Sequence, residues 1–164
     1  MVTLPTYQDL DRFVDRAGLV RPLMNLWPPF LAAGIKITHW SRDFRHVKVT
    51  LRHRRLSANY LGTLYGASLF SMTDPFWVMM IGRSLGRDYQ VWDKAAEIEF
   101  IKPGRTQVFA DFTLTDEVLA EIRSATSAGE KHLRWFTTDI TTADGTLIAR
   151  VRKQVYVRRR PARE

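Results

Sequence analysis

The hydrophobic pattern of the chain is dominated by one apolar stretch at residues 59–82, NYLGTLYGASLFSMTDPFWVMMIG. Besides two tyrosines, its only ionisable side chain belongs to Asp74. The stretch has the length of a helix and no polar face, and such a helix must be surrounded by other elements. We predict a buried central helix carrying one carboxylate, with Gly82 and Gly86 supplying the stop and the turn after it.

A membrane span is the alternative interpretation of this stretch, because about 20 apolar residues suffice to cross a bilayer. Asp74 and Pro75 stand in its middle and argue against a span. The amphipathic strands predicted downstream would also lose their packing partner if the stretch entered lipid. A helix buried inside the protein is therefore favoured.

On both sides of the stretch, apolar residues recur at every second position, as in a half-buried β-strand. A hairpin is predicted before it, interrupted by SRDFR at 41–45. Two strands, a short helix capped by Thr115 or Asp116 with Gly129 as its exit, and two last strands are predicted after it. The last two strands join at Ala143–Gly145, a strong Asp-Gly hairpin signal. The predicted alternating positions on one face of each strand are Ile35, Ile37, His39, Val47, Val49, Leu51, Ala96, Ile98, Phe100, Val108, Ala110, Phe112 and Leu114.

The N-terminal region follows the helical period instead. Residues 6–20 predict a helix that stops at Gly18, and Pro28 and Pro29 rule out its continuation. An apolar group beside the prolines is interpreted as core packing, with a pocket wall or subunit contact as the alternative. Its members are Leu26, Trp27, Phe30 and Leu31.

The order of elements predicts an α+β fold, in which a curved, mostly antiparallel sheet wraps around the central helix. At 164 residues and 45% hydrophobic composition, the chain can bury one core. We divide it into an N-terminal helical arm at 1–33, a single domain at 34–158 and a basic tail at 159–164.

Charge and composition narrow the chemistry. A net charge of +8 points to an anionic partner, which could be nucleic acid, an anionic membrane face or a phosphorylated small ligand. The absence of cysteine excludes disulfides, thiolate metal sites and a cysteine nucleophile. The four histidines lack metal-ligand spacing, so no metal site is expected. The N-terminus lacks the apolar region of a signal peptide, so a cytoplasmic location is expected.

One motif carries a family resemblance. Asn59-Tyr-Leu-Gly62-Thr-Leu-Tyr65-Gly66-Ala67, followed by Asp74, resembles the N-x-x-G-T-x-H-G-G pattern and helix acid of hotdog-fold acyl-CoA thioesterases of the phenylacetyl-CoA thioesterase type. The segment YGASLFSMTDP is similar to a hotdog branch with the signature YGGSLF-x-x-x-DP. The resemblance implies a hotdog domain at 34–158 that hydrolyses acyl thioesters and forms a dimer, or a tetramer built from two dimers.

Specific roles follow for the motif residues. The resemblance implies that Asp74 is a general base or a nucleophile and that Asn59 orients water or thioester. The N–H of Gly66 at a helix start suits stabilisation of an oxyanion. Asp74 stands among Met72, Phe76 and Trp77 in the sequence, so we expect burial to raise the pKa of its carboxyl group. Because Gly66 and Asp74 are about 12 Å apart along one helix, we expect two chains to combine them.

Structural interpretations remain open for the same residues. Asp74 could accept hydrogen bonds at a kink before Pro75, Asn59 and Gly62 could be turn residues, and Gly66 could only permit close packing.

The chain departs from the family pattern at two motif positions and adds an acid. Tyr65 replaces the usual histidine and Ala67 the last glycine, although the tyrosine hydroxyl could still bond near the carbonyl. A Ser or Thr of relatives on the third strand falls near Asp93, which places a second acid in or beside the predicted site.

Basic residues fit the three phosphates of coenzyme A, which enters as part of the substrate and not as a cofactor. Arg52 and Arg55 precede the Asn59 loop, and Lys102 and Arg105 flank a turn. The residues at 150–153 and the tail add further charge, with a solvated basic surface as the plain alternative.

Three functions are thus carried forward. The first is a thioesterase acting on acyl-CoA or an acyl carrier protein. The second is a hotdog protein that binds acyl thioesters without hydrolysis, and the third is a binder of nucleic acid or anionic surfaces.

Overall fold

The computed structural model describes residues 17–55 and 58–161. The elements in this part of the chain are α1 (Ala17–Asn25), α2 (Pro28–Ala33), β1 (Ile35–Trp40), β2 (His46–Leu51), α3 (Gly66–Ser71), α4 (Phe76–Leu85), β3 (Tyr89–Phe100), β4 (Val108–Thr113), α5 (Asp116–Ala125), β5 (Lys131–Thr142) and β6 (Leu147–Arg159).

The strands form one antiparallel, curved sheet in the order β1-β2-β4-β5-β6-β3. The central helix packs on its inner face, where Phe76 contacts Phe112 of β4 and Trp77 stacks on Phe136 of β5. This arrangement confirms the predicted α+β fold, in which a sheet wraps around a central helix.

The central helix differs from its predicted bounds. It begins at Gly66, so Asn59–Tyr65 is a loop, and it continues past Gly82 to Leu85. A break at residues 72–75 divides it into α3 and α4, because Pro75 has no N–H to bond the Ser71 carbonyl. Within the described ranges, no helix is long and apolar enough to cross a membrane.

The predicted alternation holds in β4 and fails at two other places. Val108, Ala110, Phe112 and Leu114 are all buried. In β1, a bulge between Ile37 and His39 shifts the register, so that His39 is exposed and Trp40 is buried in its place.

Strand β3 departs further from the predicted pattern, because it is the outer strand of the sheet. Ala96 and Phe100 are exposed and Ile98 is only half-buried. Phe100 contacts Gly66 of α3 and Ile98 packs against the core, so these positions on β3 are only partly covered. The exposed run at the centre of the strand extends from Lys94 to Glu97.

The short helix α5 confirms its predicted cap, since the Thr115 hydroxyl accepts a hydrogen bond from the N–H of Val118 at 3.4 Å. It ends at Ala125, before the predicted exit at Gly129.

The described part of the N-terminal arm covers the opposite edge of the sheet. Gly18 does not end the helix, which runs to Asn25, and residues 6–16 of the predicted helix lie outside the described residues. The Asn25 amide bonds both the N–H and the carbonyl of Ile37, at 2.7 and 3.0 Å. The predicted core packing of the apolar group is confirmed for Phe30, whereas the other members of the group are exposed. The β1 edge is therefore protected, unlike that of β3.

Candidate functional site

Charge is buried around Lys153 of β6, whose side chain is only 2% exposed. Its ammonium group donates to the Asp74 backbone carbonyl at 2.7 Å, to Asp74 Oδ1 at 2.5 Å and to Asp93 Oδ2 at 2.7 Å. These bonds match the three hydrogens of an ammonium group. The nitrogen also lies 5.6 Å from the centre of the Phe70 ring. We call Asp74, Asp93 and Lys153 the central charge cluster.

The alternation of side chains along β6 explains why Lys153 points into the protein. Val151, Lys153, Val155 and Val157 alternate with outward residues and share the inner face of β6. Sequence reasoning missed this lysine, because it treated residues 150–153 as one basic run. The apolar residues two positions before and after it were the signal that it points inward.

Asp74 lies in the break between α3 and α4, and its environment differs from the expected one. Met72, Phe76 and Trp77 are buried, but the Asp74 side chain is 59% exposed. The expected desolvation of this carboxylate is therefore absent from the single chain. Its oxygen instead contacts the positive charge of Lys153, while the rest of the carboxylate remains open to solvent.

Asp93 lies beside Asp74 and is the more enclosed acid. Its side chain is 27% exposed, and its Oδ1 is buried without a hydrogen-bond partner among the described residues. Burial raises the pKa of Asp93, with the hydrogen bond and charge of Lys153 acting in the opposite direction and the charge of Asp74 raising it further. An unpaired buried acceptor is costly, so this oxygen is a notable feature of the site.

Asn59 shapes the loop that leads into α3. Its Oδ1 accepts from the N–H groups of Leu61 and Thr63, at 3.0 and 3.1 Å, and its Nδ2 donates to the Thr63 hydroxyl at 2.9 Å. Gly62 completes the turn at φ 72°, in the left-handed region that suits glycine. These contacts match the turn role that the sequence left open for Asn59.

Gly66 is the first residue of α3, and the ring of Phe100 lies directly beside it. A methyl group at Gly66 would approach Phe100 Cζ to 3.0 Å, so the absence of a side chain permits this contact. Tyr65, at the N-cap position, is 54% exposed, and Ala67 is also exposed. The first N–H groups of a helix have no acceptor within it. Gly66 and Ala67 thus present polar backbone near the far end of β3 from Asp93.

The predicted phosphate-binding residues lie away from the cluster. Lys102 and Arg105 line a cleft with Gln107 and Ile148. Arg52 follows Leu51, which pairs with Val108, so the backbone brings Arg52 to the same end of the sheet. Arg55 is exposed in the loop after β2.

A second basic cleft lies at the opposite end of β6. It is lined by Arg87, Arg158, Arg159 and Arg160, and we call it the arginine cleft. Arg158 Nε donates to the Gly129 carbonyl at 2.9 Å. The two basic clefts thus lie at opposite ends of β6, with Lys153 between them.

Within the described residues, no group of three or more His, Asp or Glu is arranged to hold a metal ion. What the site does offer is a fixed and accessible carboxylate, a buried lysine beside it and a second carboxylate with one unpaired oxygen. Carboxylates held in this way can accept a proton from water or attack a carbonyl carbon.

Comparison with solved structures places the fold among hotdog-fold thioesterases. A Pseudomonas aeruginosa protein described as "Probable Thioesterase" matches with a TM-score of 0.74 at 15% identity, over 87% of this chain and 95% of that one. The Haemophilus influenzae thioesterase HI1161 matches with 0.60 at 14% identity, over 94% and 92%. The E. coli PaaI protein of the phenylacetic acid degradation operon matches with 0.56 at 15% identity, over 87% and 91%. At these identities the likeness shows the fold alone.

The family is shown by sequence. Residues 16–157 match the model of the domain of unknown function DUF4442, so the chain belongs to that family. A comparison with curated proteins finds no match.

Proposed function

We propose that the protein is a thioesterase that hydrolyses acyl-CoA or acyl carrier protein thioesters. Asp74 activates the attacking water or attacks as a nucleophile, and the N–H of Gly66 polarises the thioester carbonyl. When water attacks, its oxygen bonds to the acyl carbon, the carbon–sulfur bond breaks, and the thiol leaves with a proton. Hydrolysis thus releases a carboxylic acid and a free thiol.

The observation that carries this proposal is the combination of exposure and hydrogen bonding at Asp74. Its carboxylate is open to solvent, yet two hydrogen bonds from Lys153 fix the residue through its backbone and its side chain. A catalytic group needs both features, because it must reach the substrate and be held in one orientation. The fold is that of thioesterases, which favours this reaction over other carboxylate chemistry.

A dimer would complete the site, and strand β3 supports one. Its exposed outer edge resembles the edges that pair with another chain, whereas β1 is covered by the N-terminal arm. Two β3 strands paired antiparallel around a two-fold axis would place the Phe100 end of one beside the Asp93 end of the other. Gly66 packs on Phe100, and Asp74 is tied to Asp93 through Lys153. Gly66 of the partner subunit would then approach Asp74, as expected from the sequence.

The basic clefts support an anionic thiol carrier. Lys102 and Arg105 lie at the end of the sheet near Gly66, and the arginine cleft lies at the other end. The proposed antiparallel pairing would bring these opposite ends together across the dimer. Phosphate groups of coenzyme A or of a carrier protein suit such guanidinium groups.

The proposal is tested by thiol release from short, long and aromatic acyl-CoA esters, with the wild-type chain and the Asp74→Asn variant. Asparagine keeps the shape but cannot accept a proton, so we expect the rate to fall by about 100-fold or more. Asp111→Asn is the matched control, because Asp111 is an exposed acid on β4 paired with His46 and Lys48. The control should retain the wild-type rate.

Three outcomes would count against the proposal. A folded Asp74→Asn chain with unchanged hydrolysis would remove Asp74 from the mechanism. CoA esters that raise the melting temperature of the wild-type chain without thiol release would instead support a non-catalytic binder. Affinity for nucleic acid that falls steeply with salt would support the third hypothesis.

A further inference from the structure

We propose that Lys153 is a positioning residue for the reaction and that Asp93 is the counter-ion that holds its ammonium group beside Asp74. This inference rests on the proposed function, since it assigns how Asp74 is held ready in that same site. Lys153 does not need to touch the substrate in this role. Its effect reaches the reaction through Asp74.

The two bonds from Lys153 to Asp74 define the first step of the argument. One goes to the backbone carbonyl and one to the side chain, so a single ammonium group fixes the residue at two points. Asp74 stands between α3 and α4, where regular helical hydrogen bonding is interrupted. Lys153 therefore adds two bonds to a residue that the preceding helix holds through one, from the Asp74 N–H to the Ser71 carbonyl at 3.2 Å.

The burial of Lys153 explains the need for Asp93. A lysine removed from water favours its neutral form unless negative charges lie close to it. Asp93, on β3, contributes a carboxylate oxygen at 2.7 Å from the ammonium nitrogen. Among the described residues, the charged groups that contact this ammonium group are Asp74 and Asp93. With both acids bonded to it, the buried ammonium group is compensated and stays beside Asp74.

The unpaired oxygen of Asp93 supports the assignment independently. A carboxylate with only a structural role in a buried network normally has both oxygens bonded. Here Oδ2 bonds to Lys153, while Oδ1 is buried without a partner in the described chain. The acid thus carries an energetic cost beside Lys153, which a purely structural role does not explain.

The inference is tested with Lys153→Met, Asp93→Asn and the double variant, which removes both charges and serves as a second chain if Lys153→Met fails to fold. Arg152→Gln is the control, because Arg152 is on the same strand but pairs with Glu97 on the outer face. For each chain kcat and KM for acyl-CoA hydrolysis are measured separately, and the side-chain carboxyl carbon of Asp74 is observed by carbon NMR at pH 7, where its chemical shift and linewidth report how firmly the carboxylate is held.

Both single variants are expected to act through Asp74 and therefore in the same direction. In Lys153→Met, kcat should fall by about 30-fold or more with little change in KM, because the carboxylate is no longer held for reaction. Asp93→Asn weakens the hold on the ammonium group and should lower kcat less. In the double variant the loss should be no larger than in Lys153→Met, since Asp93 acts only through Lys153, and Arg152→Gln should change neither quantity.

A folded Lys153→Met chain, or double variant, with wild-type kcat would overturn the inference, and so would a double variant whose fold loss in kcat is the product of the two single losses. If the wild-type chain hydrolyses no thioester, the proposed function fails. The NMR signal still decides whether Lys153 holds Asp74, because an unchanged signal in a folded Lys153→Met chain would overturn the inference by itself.

Discussion

Lys153 and Arg152 are neighbours in β6, yet they show how differently two cations can act on opposite faces of one sheet. Lys153 points inward, is 2% exposed and is shared by two acids from two other segments. Arg152 points outward, is 47% exposed and pairs with Glu97, itself 55% exposed. Water screens the outer pair and can replace either partner, whereas nothing replaces the partners of Lys153.

The comparison teaches that the face of the strand, and not the basic residue itself, decides what a cation contributes. Exposed pairs add little to stability and mainly set the surface charge. A buried cation fixes its partners in place but makes the fold depend on them. The part of the molecule best suited to hold a reactive carboxylate is therefore also its most vulnerable part.

The largest effect on stability is expected from Lys153→Met. Methionine fills much of the same space but leaves the half-buried Asp93 carboxylate without a cation, so the free energy of unfolding should fall by about 3 kcal/mol. Urea unfolding at pH 7 measures this loss. The additional Asp93→Asn substitution should recover part of it by removing the unpaired charge. A loss no larger than that of Arg152→Gln would mean that the buried and exposed cations are equivalent.

A smaller effect, with a defined pH dependence, is expected from Asp93→Asn. Because burial raises the pKa of Asp93, the stability gained from its protonation is fully present below the ordinary value of 3.8 and is lost as pH rises through the raised value. Asparagine cannot ionise, so the variant should gain stability relative to wild type as pH rises through that window. Melting temperatures of both chains from pH 3.5 to 8 provide the measurement.

Asp139→Asn is the opposite control for this experiment. The hydrogen bond from Arg150 lowers the pKa of Asp139, so its contribution is present above pH 3.8 and lost as pH falls through the lowered value. Relative to wild type, this variant should therefore lose stability as pH rises from the lowered value to 3.8, so its melting temperatures are measured at pH values below 3.8 as well. A change of the same sign for the two variants, each in its own window, would contradict the different environments of the two acids.

The fold was predictable where local pattern and tertiary packing agree. The alternation in β4 and the Asp-Gly turn between β5 and β6 required nothing beyond the segments themselves. The interruption of the central helix was harder to predict from the sequence, because a proline such as Pro75 is compatible with a kink or with a full break. The bond from Lys153 to the Asp74 carbonyl, which helps to hold the break, comes from a strand 79 positions further along the chain.

The candidate site was predictable only in part for the same reason. The motif singled out Asp74 and Gly66, and counting along the chain singled out Asp93. The role of Lys153 depends on which face of β6 it occupies. Because it stands in a run of basic residues, the alternation of inward and outward positions is hard to recognise there. The exposure of Asp74 was missed because apolar neighbours in sequence do not surround a side chain that projects from a helix break.

The smallest effect is expected from Arg150→Gln, which removes an outer ion pair two strand positions from Arg152. Arg150 bonds both oxygens of Asp139, at 2.6 and 2.9 Å, but its side chain is 43% exposed. The free energy of unfolding should fall only slightly at pH 7 and low salt, by less than for the other stability variants. The difference from wild type should shrink in 1 M salt, where the screening length is about 3 Å, and also at a pH low enough to protonate Asp139. Urea unfolding under the three conditions measures it. A loss that persists unchanged in salt and acid would show that this outer pair behaves like the buried cluster, and the contrast between the two faces of β6 would not hold.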